Sequence, residues 1–226
     1  MSGLYELPFA KASKGIAKYA LANWGLGGVW NFRTGLPMEV RVVRPDVVYR
    51  DNRNGTFVTS PIVVNGAPVT TPVVNVPGGG NFRNFRRADY IGGDPFVQAT
   101  DGRFFLNPAA FAIPAPGKFG NLGRNALHGP KLSQFDLTLQ KGIRLGEKGR
   151  VDFRAEVYNL FNRTNFASPP TQLNNSLGTG VNQLQPGQAF NAASAGSAFG
   201  VFNSTVEKAV GLGTSRQMQM SLRFSF

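Results

Sequence analysis

The sequence predicts an all-β fold, a fragment of an antiparallel transmembrane β-barrel that holds about five strands of a much larger barrel and two long extracellular loops. Three observations carry this. First, Gln217–Phe226 alternates without a break: Met218, Met220, Leu222, Phe224 and Phe226 fall on one face, and Gln217, Gln219, Ser221, Arg223 and Ser225 on the other. About 9–11 residues suffice for a tilted strand to cross a bilayer. Second, residues 132–158 hold two more alternating segments around a short Gly-rich turn. Third, connections between alternating segments are moderate, very long, short and long in turn, which is the barrel pattern of short turns on one side and long loops on the other.

Composition sets the outer bounds. The chain has no Cys, so disulfides and thiolate metal sites are excluded. Gly (28), Phe (19) and Pro (15) suit strands, aromatic girdles and irregular loops. The net charge of +12 raises nucleic acid as a partner, but the basic excess is spread along all three thirds of the chain. Only Phe82-Arg83-Asn84-Phe85-Arg86-Arg87 resembles an aromatic-interleaved basic patch, and it is expected to be a loop segment. No nucleic-acid role is therefore expected, and anionic lipopolysaccharide or phospholipid head groups are the simpler match for a basic surface. No apolar run reaches 18 residues, so no transmembrane helix is expected. The start, Met1–Phe9, lacks the basic and apolar regions of a signal peptide, so the sequence is expected to be part of a longer exported protein.

In chain order, residues 4–9 form a short strand with Tyr5, Leu7 and Phe9 on one face. Between 10 and 23, Ile16, Tyr19, Ala20 and Asn23 share a helical face, enough for a short helical turn but too thin for a membrane-surface helix. The next strand covers 24–43, with Trp24, Leu26, Gly28, Trp30 and Phe32 on the apolar face. Gly35-Leu36-Pro37 is expected to bend it, with Met38–Val42 resuming the alternation. Residues 44–130 form the first long loop. Within it Ile62–Val64 and Val73–Val76 are expected as short strands flanking an Asn65-Gly66 turn, and Pro77–Gly80 as a flexible loop.

Strands at 132–145 and 151–162 make the best hairpin. Phe135, Leu137, Leu139, Ile143 and Leu145 face Val151, Phe153, Ala155, Val157 and Phe161. Lys141 interrupts the apolar face, as a snorkelling lysine does near a membrane interface. Apolar positions are odd on both strands, so facing pairs must have an even sum, which leaves a loop of Gly146–Lys148 or of Gly146–Arg150. The longer loop, with Arg144 opposite Asp152 as a lumenal ion pair, is favoured. Residues 163–214 form the second long loop, and 215–226 the closing strand. Counting back from a periplasmic C-terminus places the short turn inside and both long loops outside.

Several phrases carry a resemblance. They are Tyr5–Phe9, Trp24–Gly28 with Thr34–Pro37, Phe105–Phe111, Gly117–Asn125 and Arg154–Asn162, in order along nearly the whole chain. Together they resemble the C-terminal portion of TonB-dependent receptors of the Oar-like type. Such receptors carry a carboxypeptidase-regulatory-like domain, a plug and a barrel of about 22 strands. The resemblance implies an outer-membrane location and energy-coupled uptake, or a surface-attachment role, for the intact protein. It implies that Leu222, Phe224 and Phe226 are the signal read by the barrel-assembly machinery. It also implies that the TonB system is reached only through an N-terminal plug this sequence does not contain.

Candidate sites follow from the faces. Asp136, Arg144, Asp152, Arg154 and Glu156 are expected as lumenal charges, with the acids paired to Arg144 and Arg154 rather than acting as an acid/base set. His128, the only histidine, lies in a loop with no second His or Cys. Asp89, Asp94 and Asp101 lack the spacing of a calcium loop. No catalytic, metal or cofactor site is expected, and the chain is read as non-enzymatic. The alternatives are a soluble, basic β-rich module binding carbohydrate or nucleic acid, and a barrel-anchored adhesin. The soluble module requires the apolar faces to be buried against a second sheet.

Overall fold

The computed structural model describes residues 2–8, 15–75, 85–98, 104–147, 149–174, 177–180, 182–207 and 212–226. The chain is all-β apart from short helical turns, and it divides into two compact units. Unit 1 comprises Met1–Gly35, Pro130–Ala167 and Ser204–Phe226; unit 2 comprises Leu36–Gly129 and Ser168–Asn203.

Unit 1 is a five-stranded antiparallel sheet. Its strands, in spatial as in chain order, are β1 (Ser2–Glu6), β2 (Trp24–Arg33), β3 (Leu132–Leu145), β4 (Gly149–Tyr158) and β5 (Gln217–Ser225). A six-residue helix, α1 (Ile16–Leu21), lies between β1 and β2. The 14 residues of β3 span about 46 Å at 3.3 Å per residue, enough to cross a bilayer core of about 30 Å even when tilted by 45°.

Strand bounds depart from the sequence expectation for local reasons. The expected strand 4–9 is Ser2–Glu6; Leu7 still donates its N–H to Trp24 O at 2.8 Å, and Phe9 lies outside the described residues. The expected strand 24–43 stops at Arg33 instead of bending. Pro37 has no N–H to offer a continuing ladder. Beyond it the alternation persists, but Met38, Val40 and Val42 turn into the core of unit 2. The expected strand 151–162 ends at Tyr158, because Asn159 and Asn162 take left-handed backbone conformations at φ 51° and 48°. The closing strand, expected over 215–226, is Gln217–Ser225.

The β3–β4 register obeys the even-sum rule, but the favoured longer loop is wrong. Leu145 faces Gly149 and Arg144 faces Arg150, so the loop is Gly146–Lys148, and Asp152 lies opposite Gly142 and Arg223. Two glycines close the turn early. Gly146 takes φ 67°, and Gly149 sits where a Cβ would lie 2.8 Å from Leu145 O.

Unit 2 overturns the expectation of two irregular loops. Segments 36–129 and 168–203 share one hydrophobic core, including Val40, Val42, Val48, Phe111, Ile113, Leu173 and Phe190, each almost wholly buried. The two segments are joined by pairing: Arg41–Val43 runs antiparallel to Phe85–Arg87 and parallel to Gln172–Leu173. Phe85-Arg86-Arg87 is thus a strand, not a loop, while Phe82 and Arg83 lie outside the described residues. Asn65-Gly66 does form a turn, with positive φ at both residues as a tight hairpin needs. It joins Val63–Val64 to Ala67–Pro68, however, and Thr70–Val74 pairs with Val47–Asp51 instead. Val76 and the Pro77–Gly80 segment lie outside the described residues. His128 belongs to a two-residue strand facing Pro37.

The Gly117–Asn125 phrase has a packing reason. A Cβ on Gly120 would lie 2.6 Å from Ala88 O and clash outright with Arg87 O. Around it, Asn121 brackets the neighbouring strand: its N donates to Asp89 Oδ1 at 2.9 Å, and its Oδ1 accepts from Tyr90 N at 2.6 Å. Gly120→Ala is expected to destabilise unit 2 by about 3 kcal/mol or more, since no side chain can yield to backbone oxygens. Limited proteolysis should then cut segments 36–129 and 168–203 faster than in the parent chain.

Candidate functional site

The sheet of unit 1 has two chemically different faces, and the register aligns each from strand to strand. On one face Tyr5, Leu26, Leu139, Ala155 and Met220 form a row across all five strands. Parallel rows hold Gly28, Leu137, Val157 and Met218, then Trp24, Lys141, Phe153 and Leu222, then Ile143, Val151 and Phe224. Gly28 leaves space for its neighbour: a Cβ there would lie 3.0 Å from the Phe135 ring. This apolar face is uncovered. Trp30 is 53% exposed, Met218 and Met220 67%, Leu222 57% and Phe224 63%. A soluble sandwich buries such a face against a second sheet; here it is open, as a face solvated by lipid is.

Lys141 lies within the apolar face yet is buried. Its Nζ donates to Ala22 O at 2.7 Å and sits 4.8 Å from the centroid of the Trp24 ring. Trp24 in turn donates its Nε1–H to Ala20 O at 3.0 Å, at the end of α1. The lysine that interrupts the pattern therefore ties the α1 connection to the sheet at the end that carries the Gly146 turn.

The opposite face carries polar rows. Glu6, Gly25, Gln140, Arg154 and Ser221 align, as do Leu4, Gly27, Thr138, Glu156 and Gln219, with Leu4 the apolar exception. Of the expected charges, Arg154 Nη2 donates to Glu156 Oε1 at 2.7 Å. Asp152 pairs with Arg150, at 2.8 Å from Nε, and not with Arg144. Both pairs run along one strand between residues two apart, where side chains share a face. Their guanidiniums are exposed, so each pair contributes at most about 1 kcal/mol. What they set is the character of the face, with Arg144, Arg150, Arg154 and Arg223 around Asp152 and Glu156.

Asp136 has no arginine on it. Its Oδ1 accepts from Gln134 Nε2 at 2.8 Å and from the N–H of Asn159 at 2.8 Å. Gln134 Oε1 accepts from Gly213 N at 2.6 Å. Asn159, fully buried, donates from Nδ2 to Arg163 O at 2.8 Å and Thr214 O at 2.7 Å, and its Oδ1 accepts from Arg163 N at 3.0 Å. This network ties the end of β4 to β3 and to the approach to β5. Sequence reasoning missed it. The signal was the pair of asparagines directly after an alternating strand, since Asn tolerates the left-handed conformation.

Beside the network, Trp30, Ser133, Phe135, Asn159, Phe161 and Arg163 line a cleft of about 250 Å³. The Phe135 and Phe161 rings lie 5.9 Å apart, and Trp30 Nε1 donates to Ser133 Oγ at 3.2 Å. Sequence reasoning placed Phe161 in the strand's apolar phase but did not see the cleft.

In unit 2 two arginines, Arg44 and Arg86, turn inward. Arg44 is buried, donating to Lys118 O at 3.3 Å, Ala115 O at 3.1 Å and Asn75 Oδ1; burial and the nearby Arg86 push its pKa down to about 10. Arg86 stacks 5.1 Å above the Phe119 ring, and burial lowers its pKa as well. Arg53 holds the Asp51 carboxyl below the usual range through hydrogen bonds of 2.7–3.0 Å. Asp89 and Asp94 accept bonds from main-chain N–H groups, and Asp101 lies outside the described residues. Among the described residues no group of three or more His, Asp and Glu converges on one point.

No curated protein and no solved structure matches the chain significantly. A family model, that of the outer membrane beta barrel domain, matches residues 1–219. With that match over nearly the whole chain, and an uncovered apolar face across five antiparallel strands, the chain belongs to the outer-membrane β-barrel family and is a protein of the bacterial outer membrane.

Proposed function

We propose that the chain forms part of the wall of a TonB-dependent receptor, a transporter rather than an enzyme, with unit 2 displayed outside the cell. The observation that carries this is the arrangement of unit 1. One apolar face runs uncovered across all strands; the Gly146 turn and Phe226 lie at one end, and both long excursions leave from the other. Short turns face the periplasm in outer-membrane barrels and long connections face outward. In this reading Arg144, Asp152, Arg154, Glu156 and Asp136 line the lumen, and Leu222, Phe224 and Phe226 are presented to the assembly machinery. Among the described residues the outermost strands β1 and β5 each pair on one side. Five strands do not close a membrane barrel, whose smallest form has about eight, so further strands pair at these edges in the working assembly. The receptor subtype rests on the phrases resembling Oar-like proteins.

Orientation is testable by single-cysteine labelling, because the chain has no native Cys. A membrane-impermeant maleimide on intact cells is expected to label Asn65→Cys, at a hairpin tip, and to label Glu147→Cys only after the outer membrane is permeabilised. The reverse pattern sinks the topology. Function is tested by uptake of a panel of metal chelates and oligosaccharides in cells with and without the gene. Loss of one substrate's protonophore-sensitive uptake is the expected result. Surface binding without any energy-dependent import points to an adhesin instead, for which a folded unit 2 with its own core is equally suited.

A further inference from the structure

We propose that Asn65, and not Asn54, is a site of self-driven modification in the folded chain, closing on its neighbour Gly66 to a succinimide that water opens to aspartate or isoaspartate. The sequence holds two Asn-Gly pairs, Asn54-Gly55 and Asn65-Gly66. Glycine has no Cβ, so its main-chain nitrogen can approach the side-chain carbonyl of the residue before it. In the step, Gly66 N gives its proton to hydroxide from solution and attacks Asn65 Cγ. A C–N bond forms, the Cγ–Nδ2 bond breaks, and the amide nitrogen leaves as ammonia. Water then opens the ring at either carbonyl. One water is consumed and one ammonia released, with no oxidation or reduction.

Both asparagines are exposed, so exposure does not separate them; their hydrogen bonds do. Asn54 Oδ1 accepts from Thr56 N at 3.0 Å and from Thr56 Oγ1 at 2.7 Å. The nitrogen that would attack it, Gly55 N, donates to Asp51 O at 2.7 Å, and Asp51 N donates to Thr56 O at 2.8 Å across the same turn. Carbonyl and nitrogen are thus each held by another partner. At the second pair neither is held: among the described residues the Asn65 amide and Gly66 N make no hydrogen bond. A Cβ at Gly66 would meet nothing within 4 Å, so no neighbour shields the approach. The turn has to open for the ring to form, because φ of 51° at Asn65 and 80° at Gly66 belong to the closed hairpin. Little opposes that opening. The hairpin consists of two pairs, Val63 with Pro68 and Val64 with Ala67, and Val63 is 60% exposed. Beneath them Val69 N donates to Ile62 O at 2.9 Å, which keeps the base closed while the tip opens. The product places a carboxylate at the tip. Aspartate keeps the turn, since it tolerates positive φ, whereas isoaspartate lengthens the main chain by one carbon and does not.

The test uses the full 226-residue chain, folded in non-ionic detergent micelles and incubated in mildly alkaline buffer made with heavy-oxygen water. Mass spectrometry of the peptides holding each pair follows conversion over time, and heavy oxygen in the new carboxyl marks opening of the ring. Asn65 is expected to convert at least about tenfold faster than Asn54, the difference that the three hydrogen bonds at Asn54-Gly55 make. In urea that unfolds the chain, the two rates should converge. Thr56→Ala removes the hydroxyl bond and keeps the main-chain ones; it should speed Asn54 about threefold or more and leave Asn65 unchanged. Equal rates in the folded chain, or Asn54 ahead, overturn the proposal. So does an Asn65 that stays intact in the folded chain while converting in urea, because the hairpin then holds its tip closed. An Asn54 rate unmoved by Thr56→Ala also overturns it, since those bonds would not be what protects that pair.

Discussion

Leu139→Arg is expected to destabilise the sheet in a bilayer by about 2–4 kcal/mol, the measured range for a charge on the lipid face of a barrel near the membrane midplane. Leu139 sits at the middle of β3 and in the central strand of the row Tyr5, Leu26, Leu139, Ala155 and Met220. Its neighbour Gln140 points to the other face, in the row with Arg154 and Ser221. Gln140→Glu, which sets a charge of the opposite sign facing Arg154, is therefore expected to cost little, within about 0.5 kcal/mol. The pair of variants separates lipid from water as the solvent of the apolar face. Urea unfolding in phospholipid vesicles should show a lower midpoint for Leu139→Arg alone. Equal, small effects at the two positions would mean that Leu139 meets water.

That the faces were legible from the sequence has a simple cause. A strand's side chains alternate with period 2, so Met218 to Phe224 and Phe135 to Leu145 declare their faces without any knowledge of their partners. The same rule fixed the parity of the hairpin but not its loop length, because Gly146–Lys148 and Gly146–Arg150 differ by two and preserve every face. The choice was made by backbone contact at Gly149, which has no side chain to advertise it. Unit 2 was illegible for the opposite reason. Its strands are two to five residues long, too short for periodicity, and the pairing of Val42 with Leu173 joins positions far apart in the chain. Pro and Gly between them read as loop, although Phe111, Ile113, Leu122 and Phe190 were available to build a core. The cleft and the Asn159 network share this illegibility, since each is assembled from β2 or β3, the end of β4 and residues beyond it.

Asn159→Ala is expected to be the most damaging single change in unit 1, at about 3–5 kcal/mol, and the expectation can be divided into parts. The side chain makes three hydrogen bonds in a fully buried position: to Thr214 O, to Arg163 O and from Arg163 N. Removing the amide strands these main-chain groups, and each buried group left unsatisfied costs about 1–3 kcal/mol. The residue also holds φ at 51°, where alanine costs about 1 kcal/mol more than asparagine or glycine. Asn159→Gly removes only the second cost and should recover about 1 kcal/mol, leaving most of the loss. Asp136→Leu attacks the same joint from β3, because the Asp136 carboxylate accepts the Asn159 N–H. As the two share a bond, the double variant should lose less than the sum of the single ones. Hydrogen exchange at Thr214 and at the first residues of β5 is the direct reading. If Asn159 fixes the approach to the closing strand, exchange there rises before the β2–β3 ladder loosens; a uniform rise across the sheet would make Asn159 a general stabiliser and not the joint that sets β5 in register.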